Sequence, residues 1–138
     1  MHKYFMDIAD MVSRRGSCDR KQVGCILVKD KRIIATGYNG SMSGSQHCDD
    51  VGHLMENGHC VRTIHAEVNA IAQCAKYGSN CEGSTCYCNT LPCWNCFKLL
   101  VNAGIVQIYY KDAYANAELK GHVFQFSKEL RVPVVKIA

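Results

Sequence analysis

The sequence predicts one α/β domain of three layers, α-β-α, around a mixed five-stranded sheet, and three observations carry that expectation. The chain has 138 residues, near the commonest size for a single domain with a single core. Apolar residues make up 48% and charged residues 20%, a globular balance that excludes disorder and a coiled coil. Helical and strand periods alternate through the second half, the pattern of parallel strands joined by crossover helices.

The elements follow in order α-β-β-α-β-α-β-α-β. Phe5, Ile8 and Val12 are spaced three and four apart, which marks an amphipathic helix over residues 3–14. Val23–Val28 and Arg32–Thr36 are β-rich apolar runs joined by Lys29-Asp30-Lys31, a charged hairpin turn. Ile64, Val68, Ile71 and Ala75 define a second helix ending near Gly78. Thr85–Asn89 is a short strand. Trp94, Phe97 and Val101 mark a third helix, stopped by Gly104. Val106–Tyr110 follows as a strand, and Leu119, Val123, Phe126 and Leu130 form a last helix before the strand Val132–Ile137. The first two strands are expected to pair antiparallel.

Residues 37–60 resist this scheme. They hold five of the eleven glycines, two cysteines and three histidines, without periodicity. A connection of that length inside a compact domain is expected to be functional or held by a ligand, and a metal is the obvious candidate.

Charge and cysteine narrow the functional classes. The net charge is 16 − 12 = +4, with Arg14, Arg15, Arg20, Lys21, Lys29, Lys31 and Arg32 concentrated in one stretch. That cluster suits an anionic small molecule or an acidic face of another subunit, beside the plainer reading of a solvated basic surface. The isoelectric point, near 8.5, lies below the value of about 9 usual for general nucleic-acid binding, so none is expected. No apolar run approaches the roughly 20 residues of a membrane span, and the N-terminus has no signal-peptide core, so a soluble cytoplasmic protein is expected. Ten cysteines in such a chain point to metal ligation or catalysis, with the surplus as small buried residues.

Two short segments carry the chemistry. His65-Ala66-Glu67 opens the second helix, and Pro92-Cys93-Trp94-Asn95-Cys96 opens the third. Both helix starts are expected at the carboxyl ends of neighbouring strands, where open α/β sheets bind ligands. His65, Cys93 and Cys96 would supply three ligands to a zinc ion and leave a fourth position for water. A helix N-terminus favours thiolates, and two of them against one zinc bring the site charge to 2 − 2 = 0. Glu67 reaches the fourth position and can shuttle protons without binding metal. A redox dithiol fits less well, because its usual Trp and Pro positions are exchanged here. An iron–sulfur site through Cys88, Cys93 and Cys96 would leave His65 and Glu67 without a purpose.

His-x-Glu followed by Pro-Cys-x-x-Cys resembles the signature of the zinc-dependent nucleobase deaminases. Within that superfamily the chain is similar to the deoxycytidylate (dCMP) deaminases of bacteria, phages and large viruses. The likeness runs from about residue 4 to the end, through Gly37-Tyr38-Asn39-Gly40-Ser41, Cys60–Glu67 and Thr90-Leu91-Pro92-Cys93. The resemblance implies a single domain over residues 1–138 with the cytidine-deaminase-like fold. It implies hydrolysis of dCMP to dUMP and ammonia, feeding dTMP synthesis. A zinc-activated water would attack C4 of cytosine while Glu67 carries the proton to N3 and then to the departing amine. Asn39, Ala66 and Tyr114 correspond to substrate contacts, although Asn39 alone also reads as an Asn-Gly turn. Cys86 and Cys88 read as strand-interior packing.

The resemblance also implies a hexamer activated by dCTP with Mg²⁺ and inhibited by dTTP, the effector lying against Gly40, Ser41 and Gly44. A second, structural zinc organising residues 37–60 is expected on Cys18, Cys48, His53 and Cys60, with His47 and His59 as rival ligands. Three alternatives stay open. The same site could take dCTP. A tRNA adenosine deaminase shares both motifs, but here a basic C-terminal helix is missing. A zinc-bearing interaction module would need neither substrate nor Glu67.

Overall fold

The computed structural model describes residues 1–17, 21–113 and 120–137. Helix α1 (His2–Ser13) leads to strands β1 (Gly24–Lys29) and β2 (Arg32–Tyr38), with Asp30 and Lys31 both at positive φ, 52° and 62°. Two such residues make a tight turn whose twist matches that of the strands it joins. A connecting segment follows with β3 (Gly40–Ser41), the single turn α2 (Cys48–Val51), β4 (Met55–Glu56), β5 (His59–Cys60) and β6 (Thr63–Ile64). Then come α3 (Ala66–Tyr77), β7 (Thr85–Thr90), α4 (Trp94–Asn102), β8 (Gln107–Asp112), α5 (Lys120–Leu130) and β9 (Val134–Lys136).

The main sheet has five strands in the order β2-β1-β7-β8-β9. Strands β1/β2 and β1/β7 are antiparallel, whereas β7/β8 and β8/β9 are parallel. The mixed sheet and three layers expected from the sequence are therefore present. One face carries Cys25, Leu27, Ala35, Cys86, Cys88 and Ile108, in one core with residues of α3, α4 and α5. The other carries Ile26, Val28, Tyr87 and Tyr109 against Phe5, Met6 and Ala9 of α1. Strict alternation along β1 and β7 sends successive side chains into the two cores.

The topology corrects one expectation. The two helix starts do not follow neighbouring strands. Strands β2 and β7 run in the same direction with β1 between them, so α3 crosses over β1 to reach β7. Their carboxyl ends still open at one edge of the sheet, separated by one antiparallel strand. Nothing in the period of the sequence reveals an inserted antiparallel neighbour. The unperiodic segment is also not bare loop: it is tied by two short ladders, β3 to β6 and β4 to β5. Two-residue strands are too short to show a period.

Strand β2 lies at the sheet edge, and α3 presses closely on it. A Cβ at Gly37 would stand 2.2 Å from the Ala66 carbonyl oxygen and 2.5 Å from the Ala70 nitrogen, so only glycine permits the approach. Gln73 Oε1 accepts the Thr36 N–H at 2.8 Å, and Asn69 Nδ2 donates to the Tyr38 carbonyl at 2.8 Å. Side chains of α3 thus cover backbone groups that an edge strand would otherwise leave unpaired.

Candidate active site

Strand β7 delivers α4 almost directly. Leu91 N–H bonds the Asp112 carbonyl at 2.7 Å, Pro92 is fully buried, and Cys93 takes the N-cap with extended backbone (φ −69°, ψ 168°). Its sulfur accepts the Cys96 N–H at 3.5 Å, occupying one of the orphan donors at the helix start. Cys96 lies one turn further on, 1% exposed. The spacing Cys-x-x-Cys is what brings an N-cap and its third helical residue together.

The other half is reached through the connecting segment. The β3/β6 ladder pairs Gly40 with Ile64 and Ser41 with Thr63, which sets His65 at the N-cap of α3 with φ −61° and ψ 148°. Here the cap side chain does not bond its own helix. The imidazole instead points across: its Nδ1 lies 3.2 Å from Cys96 Sγ and 3.6 Å from Cys93 Sγ. The three donor atoms all fall within 4.8 Å of one another. Tetrahedral zinc with ordinary Zn–N and Zn–S bonds places N and S about 3.6 Å apart, so the donor types and their spacing fit zinc.

The electrostatics of the metal-free site follow from those contacts. The Cys93 thiol is lowered to about 4, chiefly because Cys96 donates to it, with His65 and the Cys96 N–H adding to the effect. The Cys96 thiol is pushed up for the complementary reason, the hydrogen bond it gives to Cys93, and by burial. Hydrogen bonding to Cys93 also raises His65, against the opposing effect of burial.

Glu67 projects from the first turn of α3 and is 4% exposed. Burial raises its pKa, partly offset by a hydrogen bond from its own backbone N–H and by the neighbouring His65. A carboxyl poised in this way can hold a proton and release it, the property a proton shuttle needs. Beneath it lies a layer of thiols. Cys25 Sγ is 3.4 Å from Cys86 Sγ, and Cys25, Cys86 and Cys88 are all fully buried. Hydrogen bonding with Cys86 and Cys88, together with burial, raises the Cys25 thiol, and all three side chains pack into the core.

Asn39 is 7% exposed and held on both ends of its amide: Oδ1 accepts the Val23 N–H at 2.8 Å, and Nδ2 donates to the Lys21 carbonyl. It therefore braces the segment before β1. Ala66 is fully buried between the two site residues of α3. Ser41 Oγ is shielded from solvent with no hydrogen-bond partner among the described residues, and Gly44 turns the chain at φ 85°. Cys48 is buried at the start of α2, and His53 follows that turn. Cys18 and Tyr114 lie outside the described residues, as does the side chain of Cys60. Among described residues the only group with metal-ligand spacing is His65, Cys93 and Cys96. Asn69 and Gln73 were missed in the sequence, as was the docking role of Gly37; all three dock α3 on β2. The one available signal was the i, i+4 spacing of two amides on the helix that starts at His65.

A zinc-ready donor set with a buried carboxyl at the edge of a mixed sheet defines the class. The chain belongs to the cytidine and deoxycytidylate deaminase zinc-binding family, whose model matches residues 1–112. Among particular relatives, ComE operon protein 2 of Bacillus subtilis is 44% identical over 124 residues, covering 90% of this chain and 66% of that protein. The deoxycytidylate deaminase of Saccharomyces cerevisiae is 32% identical over 152 residues, covering 96% of this chain and 47% of its own length. The chain thus spans less than two thirds of these curated relatives. The crystal structure of the dCMP deaminase of cyanophage S-TIM5 in complex with dCMP and dUMP superposes with a TM-score of 0.83 at 31% identity, covering 98% of this chain and 95% of that one.

Proposed function

We propose that the protein hydrolyses dCMP to dUMP and ammonia. The observation that carries the reading is the joint placement of His65 Nδ1, Cys93 Sγ and Cys96 Sγ at zinc-ligand distances beside buried Glu67. His65, Cys93 and Cys96 would hold the zinc, which supplies an activated water. Glu67 would take a proton from the attacking water and deliver it to N3 of the ring. It would then take the proton of the new C4 hydroxyl and pass it to the amino group, so that the C4–N bond breaks, ammonia leaves and C4 becomes the carbonyl of uracil. Burial that favours its neutral form suits the delivery half of that cycle. Asn39, the Ala66 backbone and Tyr114 would hold the nucleotide, and the monophosphate is favoured by the likeness to an enzyme crystallised with dCMP and dUMP.

The finer features belong to the same reading. A hexamer under control of dCTP with Mg²⁺, and of dTTP, would use Gly40, Ser41 and Gly44, and the solvent-shielded Ser41 hydroxyl supports a ligand there. A structural zinc on Cys18, Cys48, His53 and Cys60 would account for an ordered segment of little regular structure. We place the enzyme in the cytoplasm, where its ligand thiols stay reduced.

The deciding experiment measures ammonia release from dCMP, dCTP, deoxycytidine and a tRNA anticodon stem-loop. Turnover of dCMP well above the rest is expected. Faster release from dCTP, or from the RNA, would replace this reading with one of the alternatives, and no release from any would leave a zinc-bearing interaction module.

A further inference from the structure

We propose that Asn69 is a positioning residue that sets the separation between the histidine ligand and the substrate wall, an inference that rests on the deaminase reading. Its Nδ2 group donates to two carbonyls on different segments, Tyr38 at 2.8 Å and Ile64 at 3.5 Å. Each of those residues immediately precedes a site residue: Tyr38 precedes Asn39, and Ile64 precedes His65. One amide therefore ties the end of β2, on the substrate side, to the approach of α3, on the metal side. Its backbone N–H also bonds the His65 carbonyl at 3.0 Å, so the side chain sits one turn above the ligand it steadies.

The chemistry makes this role specific to asparagine. Both partners are carbonyls, which only accept, so the NH₂ end must face them and the amide orientation is fixed by its surroundings. Aspartate has the same shape and no donor when ionised, and it would face two carbonyl dipoles with a negative charge. Gln73, four residues on, makes a bond of the same length to the same strand, to the Thr36 N–H. That bond touches no segment leading to His65. The two amides thus form a built-in control, one joining both halves of the site and the other docking only the helix.

The test compares Asn69→Asp and Asn69→Ala with Gln73→Ala, using zinc-loaded full-length protein. Zinc release is followed by transfer to a chromophoric chelator, alongside kcat and KM for dCMP and the thermal midpoint. Residues that orient ligands typically alter metal affinity about 10–100-fold. Zinc release is expected to quicken roughly tenfold or more in both Asn69 variants, with KM rising more than kcat falls. Gln73→Ala should lose comparable thermal stability and leave zinc release within about twofold of the unmodified protein. The proposal is overturned if the Asn69 variants release zinc no faster than Gln73→Ala, or if KM stays unchanged while only the thermal midpoint falls. If Asn69→Ala does not accumulate folded, the isosteric aspartate variant carries the comparison alone. Should the unmodified protein not turn over dCMP, the functional reading fails while the zinc-release comparison still decides whether Asn69 positions His65.

Discussion

The two helix starts that build the site reach the same backbone geometry by different means. At α4 the geometry is local: a strand ends, a buried proline follows, and Cys93 caps its own helix through the Cys96 N–H. At α3 the cap makes no side-chain bond to its helix, and His65 is held by a two-residue ladder, by Asn69 and by the pressing of Gly37 onto the helix. The cysteine half is half-buried to buried, whereas His65 is exposed. One half of the site is thus written in five consecutive residues, and the other in contacts drawn from across the chain. A metal bound there would join a preformed partner to a docked one.

That difference predicts unequal consequences of damage. The largest effect should come from the group on which both halves converge. Glu67→Gln keeps the shape and would remove the proposed proton shuttle, and general acid–base groups contribute about 10²–10⁴-fold. Ammonia release from dCMP is expected to fall at least a hundredfold with zinc content unchanged, by metal analysis of the same sample. Retention of a tenth of the activity would remove Glu67 from the mechanism.

The next effect separates the halves. Gly37→Ala forces a methyl group against backbone atoms of Ala66 and Ala70 that cannot turn aside. Overpacking of this kind costs about 1–3 kcal/mol and occasionally more. The thermal midpoint is expected to fall by roughly 5–15 °C, and zinc should be lost before global unfolding. Fluorescence of Trp94, on the cysteine side, should change only with the global transition. Coincident loss of zinc and of the Trp94 signal would mean that the halves are not separately held.

A third prediction reads the preformed half by itself. In metal-free protein the Cys93 thiol is lowered to about 4, far below the value of about 8.5 usual for a free thiol. The folded chain therefore keeps this thiolate at neutral pH and loses it as pH falls through about 4, where an ordinary thiol would lose it at about 8.5. Alkylation of Cys93 by iodoacetamide, mapped by mass spectrometry, should persist at pH 5–6 and vanish in urea at the same pH. If the rate at pH 5.5 matches that of the unfolded chain, the cap and the Cys96 hydrogen bond do not stabilise the thiolate.

The same contrast explains what was legible in the sequence. Phe5, Ile8 and Val12, the hairpin around Asp30 and Lys31, and the glycine stops after α3 and α4 are local signals, and each element they mark is present. The grouping of His65, Cys93 and Cys96 near Glu67 was legible because helix starts select thiolate and carboxylate chemistry at fixed spacing. The antiparallel β1 between β2 and β7 was not legible, because strand order depends on pairing between distant segments. Nor were Asn69 and Gln73, whose partners are backbone groups of another strand and leave no trace in side-chain periodicity. Two-residue ladders, which hold residues 40–64 in place, are below the length at which any period can be read.

The smallest effect concerns a site remote from both halves. Asp30 and Lys31 occupy left-handed backbone at φ 52° and 62°, a conformation that Asp tolerates better than Lys and that costs most side chains roughly 1–2 kcal/mol. The double change Asp30→Asn with Lys31→Gly suits the turn type and should stabilise the fold by about 0.5–1 kcal/mol, net of the extra freedom glycine gives the unfolded chain. The expected rise in the thermal midpoint is roughly 2–5 °C. Because the turn joins β1 to β2 at the end remote from Asn39, it raises the stability of the strand on which α3 docks without touching Asn69, His65 or Gly37. Zinc release should therefore stay within about twofold of the unmodified protein. If release instead slows in step with the added stability, the histidine half is limited by unfolding of the whole domain, and the distinction between a local half and a docked half is lost.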